Sequence, residues 1–132
     1  MNRRWSGSWS VSDSSAEPQV DVLIPSFERQ GELAVTLAGL AAQDAPAFRV
    51  IISDQTEGAP ATEHPAVSAM VRVLRAQGRH VELKRHLPRR GLAEHRHYLL
   101  GLSRAPFVLF LDNDVWLEPG TLLRLSQALR SG

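Results

Sequence analysis

The sequence predicts an α/β fold: a doubly wound, mainly parallel sheet of about four strands with helices on its faces. Three observations carry that expectation. From Val20 onward, short β-branched runs alternate with stretches of helical apolar period. The runs are apolar enough to be covered on both faces, as parallel strands are, and no repeat of roughly 20 to 50 residues offers a rival architecture.

Each element has its own signal. Val20, Val22, Leu23 and Ile24 make the first strand, which Pro25 is expected to end. Leu33, Leu37, Leu40 and Ala41 recur at i, i+4, i+7 and i+8 and mark one face of a helix, interrupted only by Gly39. Phe48 to Ile52 is the second buried strand. Gly58, Pro60 and Pro65 break the chain, and Val67, Met70, Val71 and Leu74 then line a helix ending near Gly78. Val81 and Leu83 alternate with Glu82 and Lys84, the pattern of an exposed edge strand. A third helix is expected from about Leu92 to Ser103. Phe107 to Leu111 is the most apolar strand, and Glu118-Pro119 opens a last helix carrying Leu122, Leu125 and Leu129.

Composition narrows the function classes. A chain of 132 residues suits one domain. With 15 Lys+Arg against 14 Asp+Glu it lacks the broad basic field of a dedicated nucleic-acid binder, so no nucleic-acid partner is expected. The absence of Cys excludes a disulfide framework, a thiolate metal site and a cysteine nucleophile, and fits a reducing compartment. No apolar run approaches the roughly 18 to 20 residues of a membrane span. A soluble, cytoplasmic protein without a transmembrane segment is expected. Residues 1–19 hold Arg3, Arg4, Trp5 and Trp9 in a Ser-rich stretch without the apolar centre of a signal peptide; they read as a disordered leader, leaving 20–132 as the domain.

In an open parallel sheet, ligands bind outside the carboxyl ends of the strands. The residues there are Pro25-Ser26-Phe27-Glu28, Ser53-Asp54-Gln55, the basic stretch Arg85 to Arg90, and Asp112-Asn113-Asp114. Two carboxylates one residue apart after an apolar strand can converge on a hard divalent cation that leaves its other positions to water and phosphate oxygens. Taken alone, the same residues also suit a strand-end turn. Asp54 after a neighbouring strand and the intervening arginines tip the balance toward a site. Arg85, Arg89 and Arg90 precede a helix start that attracts phosphate, although for any single one a solvated loop is the favoured reading. His95 and His97, two apart on a helix, point to different faces and cannot share a metal ion.

These residues resemble family 2 glycosyltransferases of the GT-A, Rossmann-like fold. Val20-Asp21-Val22-Leu23-Ile24-Pro25-Ser26-Phe27-Glu28-Arg29 is similar to the family's opening strand and its Pro-Thr-Tyr-Asn-Arg ending. Ile51-Ile52-Ser53-Asp54 is similar to its second strand, Gly91-Leu92-Ala93-Glu94-His95-Arg96-His97 to its Gly-x-Ala-x-x-Arg-Asn segment, and Phe110-Leu111-Asp112-Asn113-Asp114 to its D-x-D strand. Ser53 stands where the family commonly has the first of two aspartates, Phe27 where it has tyrosine, and His97 where it has asparagine. The resemblance runs from about Val20 to Leu129.

It implies a domain that binds a nucleoside-diphosphate sugar at Pro25, Phe27, Asp54, Arg96 and Asp112. Phe27 would lie against the nucleobase, unless it is only a core aromatic, and Asp54 would accept from the base imide N–H. Asp112 and Asp114 would hold Mg²⁺ or Mn²⁺ against the diphosphate. It also implies that the acceptor site, for a glycan, lipid or protein, and the catalytic base lie downstream of Gly132. The domain is then incomplete relative to the family, and self-association or a completing chain is expected, in the cytoplasm or at the inner face of the membrane. Two alternatives remain: a non-catalytic nucleotide-sugar-binding module or inactive fragment, and a haloacid-dehalogenase-like phosphatase with Asp112 as nucleophile.

Overall fold

In the computed structural model, which describes residues 17–131, four strands alternate with four helices. They are β1 (Val20–Ser26), α1 (Gln30–Ala41), β2 (Phe48–Asp54), α2 (Pro65–Ala76), β3 (His80–Arg85), α3 (Leu92–Leu100), β4 (Phe107–Phe110) and α4 (Thr121–Ser131). A 3-10 turn, Ala61–Glu63, leads into α2. Most of the expected leader, residues 1–16, lies outside the described residues. No helix among the described residues is long and apolar enough to cross a membrane.

The strands order β3-β2-β1-β4 and every pair is parallel, the expected α/β architecture. The chain walks outward from β1 to β3, then returns across the sheet to place β4 on the other side of β1. With right-handed crossovers, that reversal must move the connecting helix to the opposite face. The packing agrees. Val22, Ile24, Val50 and Ile52 point to a large core shared with Leu33, Leu37 and Leu40 of α1, Val67, Val71 and Leu74 of α2, and Leu122 of α4. Leu23 and Ile51 point the other way, to a smaller core under Leu99 of α3. Successive strand residues alternate faces, and here both faces are covered, which is why β1 and β2 carry uninterrupted apolar runs.

Four details differ from the sequence expectation. β1 does not end at Pro25 but runs to Ser26, paired with Asp54. Leu23 O accepts from Leu111 N on the β4 side, and Pro25, two residues on, faces that same side. β4 pairs only as far as Leu23↔Phe110, so a residue without an N–H breaks no ladder there. α3 stops at Leu100 rather than Ser103; Gly101, Leu102 and Ser103 close a turn onto His97, Leu99 and Leu100. α4 opens at Thr121 rather than Glu118-Pro119, because Gly120 takes a left-handed φ of 83° between them. β4 ends at Phe110 rather than Leu111, and this most apolar strand is only half-buried, since among the described residues it has a strand on one side only.

The segment after β4 is tied to α1. Thr36 Oγ1 accepts from Val115 N at 2.9 Å, and the buried Gln43 donates to Glu118 O at 2.8 Å while accepting from Leu122 N at 3.1 Å. Gly39 completes the seam. A Cβ there would stand 3.0 Å from Leu117 N and 3.2 Å from Leu117 O, so only glycine lets the loop approach the helix this closely.

Candidate functional site

The strand order reverses between β1 and β4, and a cavity of about 610 Å³ opens at the carboxyl ends of those two strands. That is where the topology of an open α/β sheet separates adjacent loops and leaves room for a ligand. One wall is Pro25, Ser26, Phe27 and Arg29 after β1, and another is Asp112, Asn113 and Asp114 after β4. Arg89, Arg90 and Gly91, ahead of α3, close the third.

The turn after β1 is built with unusual backbone. Glu28 and Arg29 both take left-handed φ angles, 56° and 54°, which cost a non-glycine residue of order 1–3 kcal/mol each. Neighbours hold it: Thr56 Oγ1 accepts from Glu28 N at 2.6 Å, and Asn113 Nδ2 donates to Ser26 Oγ at 3.3 Å. The result turns Phe27 into the cavity, where the Arg89 guanidinium lies 3.8 Å from its ring centroid. It also carries Arg29 to Asp114, 2.8 Å between Nη1 and Oδ2.

The sequence-predicted residues divide. Pro25, Phe27, Asp112 and Asp114 all line the cavity, so Phe27 is no mere core aromatic. Asp54 does not line it. Its buried carboxylate accepts from Thr56 N at 3.0 Å and Ala61 N at 2.7 Å, which shapes the loop after β2. Arg96 also lies outside the lining, with its guanidinium 5.4 Å from the Phe110 ring centroid. Arg85 donates to Thr56 O and Gly58 O, while Arg89 and Arg90 reach the cavity.

Sequence reasoning placed Gln55 and Asn113 at the ligand-binding end of the sheet without giving either a role, and it missed Arg29 and His95 as lining residues. His95 is buried and lies 2.7 Å from Ser53 Oγ, whereas His97 is exposed, as their spacing required. Burial holds the His95 imidazole below its ordinary pKa, and the nearby His86 pushes in the same direction. The signal for His95 was available: it falls four residues before Leu99, on the face of α3 that packs against the sheet.

Asp112 and Asp114 are both exposed at the cavity and not joined by a third metal-binding side chain; among the described residues no group of three or more such side chains gathers. Two carboxylates suit an ion that takes its remaining ligands from water and a phosphate-bearing substrate, the usual habit of Mg²⁺. The pairing of Asp114 with a guanidinium shows that its carboxylate already faces positive charge across the cavity.

A family model described as Glycosyl transferase family 2 matches residues 21–132. No curated protein matches the sequence. Among solved structures, the fold is similar to Staphylococcus aureus TarS 1-349, with a TM-score of 0.70 at 21% identity over 86% of this chain and 32% of that one. It is similar to the same protein in complex with UDP-GlcNAc, with a TM-score of 0.68 at 21% identity over 86% of this chain and 31% of that one. A mannosyltransferase from Pyrobaculum calidifontis, in complex with GDP-Man and Mn²⁺, gives 0.63 at 21% identity over 87% of this chain and 33% of that one. The chain therefore spans about a third of the length of these neighbours.

Proposed function

Because the chain belongs to glycosyl transferase family 2, we propose that the cavity between β1 and β4 binds the nucleoside-diphosphate part of a sugar donor and that the domain supplies the donor side of glycosyl transfer. The family membership sets aside the phosphatase alternative. What carries the reading is the convergence in one cavity of an aromatic face at Phe27, carboxylates at Asp112 and Asp114, and the cations Arg29, Arg89 and Arg90. An aromatic face suits a nucleobase, and the positive charges suit a diphosphate. The fold neighbours that support it are complexes with UDP-GlcNAc and with GDP-Man and Mn²⁺.

In this reading Asp112 and Asp114 would hold Mg²⁺ or Mn²⁺, which supplies charge neutralisation for the departing diphosphate. Asp114 would exchange its Arg29 partner for the ion. Arg89, already over Phe27, would pack against the nucleobase from the far side or make way for it. Asp54 acts beneath this surface by shaping the loop, rather than by touching the base, and Arg96 stands outside it. Acceptor binding and the general base are not assigned to the residues around this cavity.

The test is calorimetry with UDP and GDP, with and without Mn²⁺. Two carboxylates at the phosphate position repel a naked diphosphate, so binding is expected only with the cation, and Asp114→Asn is expected to abolish it. Equal binding in EDTA would overturn the proposal. A non-catalytic module would pass this test and release no sugar from the donor over time; slow donor hydrolysis, lost in Asp114→Asn, marks the enzyme.

A further inference from the structure

Beneath the cavity lies a chain of buried polar groups that the donor-site reading does not use. Ser53, His95 and Gln55 are each at most 3% exposed. His95 Nε2 stands 2.7 Å from Ser53 Oγ. The Gln55 amide is oriented by its neighbours: its nitrogen meets the Arg90 carbonyl at 3.1 Å and His95 Nδ1 at 3.3 Å, and its oxygen meets the Arg90 N–H at 3.0 Å. Gln55 therefore satisfies both backbone groups of Arg90, as a neighbouring strand would. Its other amide proton needs an acceptor at Nδ1, so the imidazole is neutral, with its proton on Nε2 and directed at Ser53.

We propose that Gln55 and His95 are positioning residues that hold the Arg89–Arg90–Gly91 segment across the cavity, and that the nucleotide site keeps its shape only while this hydrogen-bonded chain is intact. The inference rests on the donor-site reading. A protonated Nδ1 would be a donor facing another donor, and the clamp on Arg90 would lose its lower support. The titratable groups that face His95 are His86, stacked at 5.6 Å between centroids, Glu94, which pairs with His86 at 3.1 Å, and Asp54 at the end of β2. Tyr98 also stacks on His86, at 3.9 Å between centroids, and the Arg89 and Arg90 charges stand at the cavity wall. Glu94 and Asp54 favour the imidazolium, whereas burial and His86 oppose it.

Two measurements on the 132-residue chain test this. The first is the affinity for UDP and GDP with Mn²⁺ between about pH 8 and about pH 5.5, the range in which a histidine changes charge. The second, which needs no ligand, is the rate of trypsin cleavage after Arg89 and Arg90. Wild type is expected to bind more weakly at the acid end and Gln55→Leu roughly tenfold more weakly at the alkaline end, the loss of about one buried hydrogen-bonded group. Gln55→Leu is also expected to flatten the pH profile and to be cut faster at Arg89 and Arg90. In Gln55→Glu the profile is expected to invert, because a carboxylate at this position is best served by the imidazolium; a residue that merely supports the fold would not produce that inversion, and a variant still binding at acid pH has folded.

Wild-type affinity for Gln55→Leu, or the same acid-weakened profile in Gln55→Glu as in wild type, would overturn the inference and leave the donor site standing. Failure of the donor-site reading looks different: wild type would then bind neither nucleotide at any pH, and the inference would fall with it even if cleavage at Arg89 and Arg90 still differed.

Discussion

Arg49 is the most consequential charge away from the cavity. It sits on β2 at the opposite end of the sheet, 4% exposed, with Nε 3.0 Å from Asp21 Oδ1, Nη2 2.9 Å from Asp21 Oδ2 and Nη1 2.8 Å from Glu82. Asp21 also accepts from Arg104 N and Ala105 N, so this carboxylate fastens the α3–β4 connection to the sheet. Burial by itself would raise the Asp21 pKa, but the Arg49 hydrogen bonds and the two backbone N–H groups outweigh it and hold the carboxyl below its ordinary value. A carboxyl with a lower pKa when folded contributes stability that is complete above the ordinary carboxylate range and is lost as pH falls through that range toward the folded value. Arg49→Ala leaves a buried carboxylate without its cation and is expected to cost about 3–5 kcal/mol in urea unfolding near neutral pH. The loss should shrink in acid, where Asp21 can take a proton.

The α1–β4 seam decides where the D-x-D carboxylates stand. Thr36 and Gly39 lie on α1 and Gln43 just past its end, yet all three meet the segment from Val115 to Leu122. Alanine at an exposed helix site gains up to about 1 kcal/mol over glycine. At Gly39 that gain is opposed by backbone atoms 3.0 and 3.2 Å from the new Cβ, which no side-chain rotation can relieve. Gly39→Ala is therefore expected to destabilise the protein by about 1–3 kcal/mol, the usual range of overpacking. Because the displaced segment continues from Asp114, the variant should also weaken Mn²⁺-dependent nucleotide binding. Unchanged stability and binding in Gly39→Ala would show that the seam yields freely.

The molecule as a whole has one unbalanced side. Among the described residues β4 is a sheet edge, and α4 beside it shows Leu125 at 43% and Leu129 at 57% exposure. Between them lies an apolar cavity of about 250 Å³ lined by Val20, Phe107, Leu109, Leu122, Leu125 and Leu129. An open strand edge next to uncovered leucines invites pairing with another chain. The isolated 132-residue chain is expected to self-associate, with a light-scattering mass that rises with concentration, and Leu125→Lys combined with Leu129→Glu should return it to a monomer. A wild-type monomer at all concentrations would count against this.

The alternation of strands and helices, the edge position of β3 and the four segments that end at the carboxyl side of the sheet are all legible in the amino-acid sequence. Those are local properties: apolar period, β-branching and strand-end polar residues are written in neighbouring positions. Asp112 and Asp114 stand out by their D-x-D spacing at a strand end, and Phe27 by the resemblance to the family's opening segment. It took the packed chain to reveal that Asp54 bonds to its own loop, that Arg96 stands outside the cavity, and that Gln55 and His95 join across 40 residues of chain. The left-handed turn at Glu28 and Arg29 and the seam at Gly39 belong with these. The physical reason is common to all of them. A side chain's partner is set by which segments the sheet order brings together, and a polar group buried there must satisfy whatever backbone it meets.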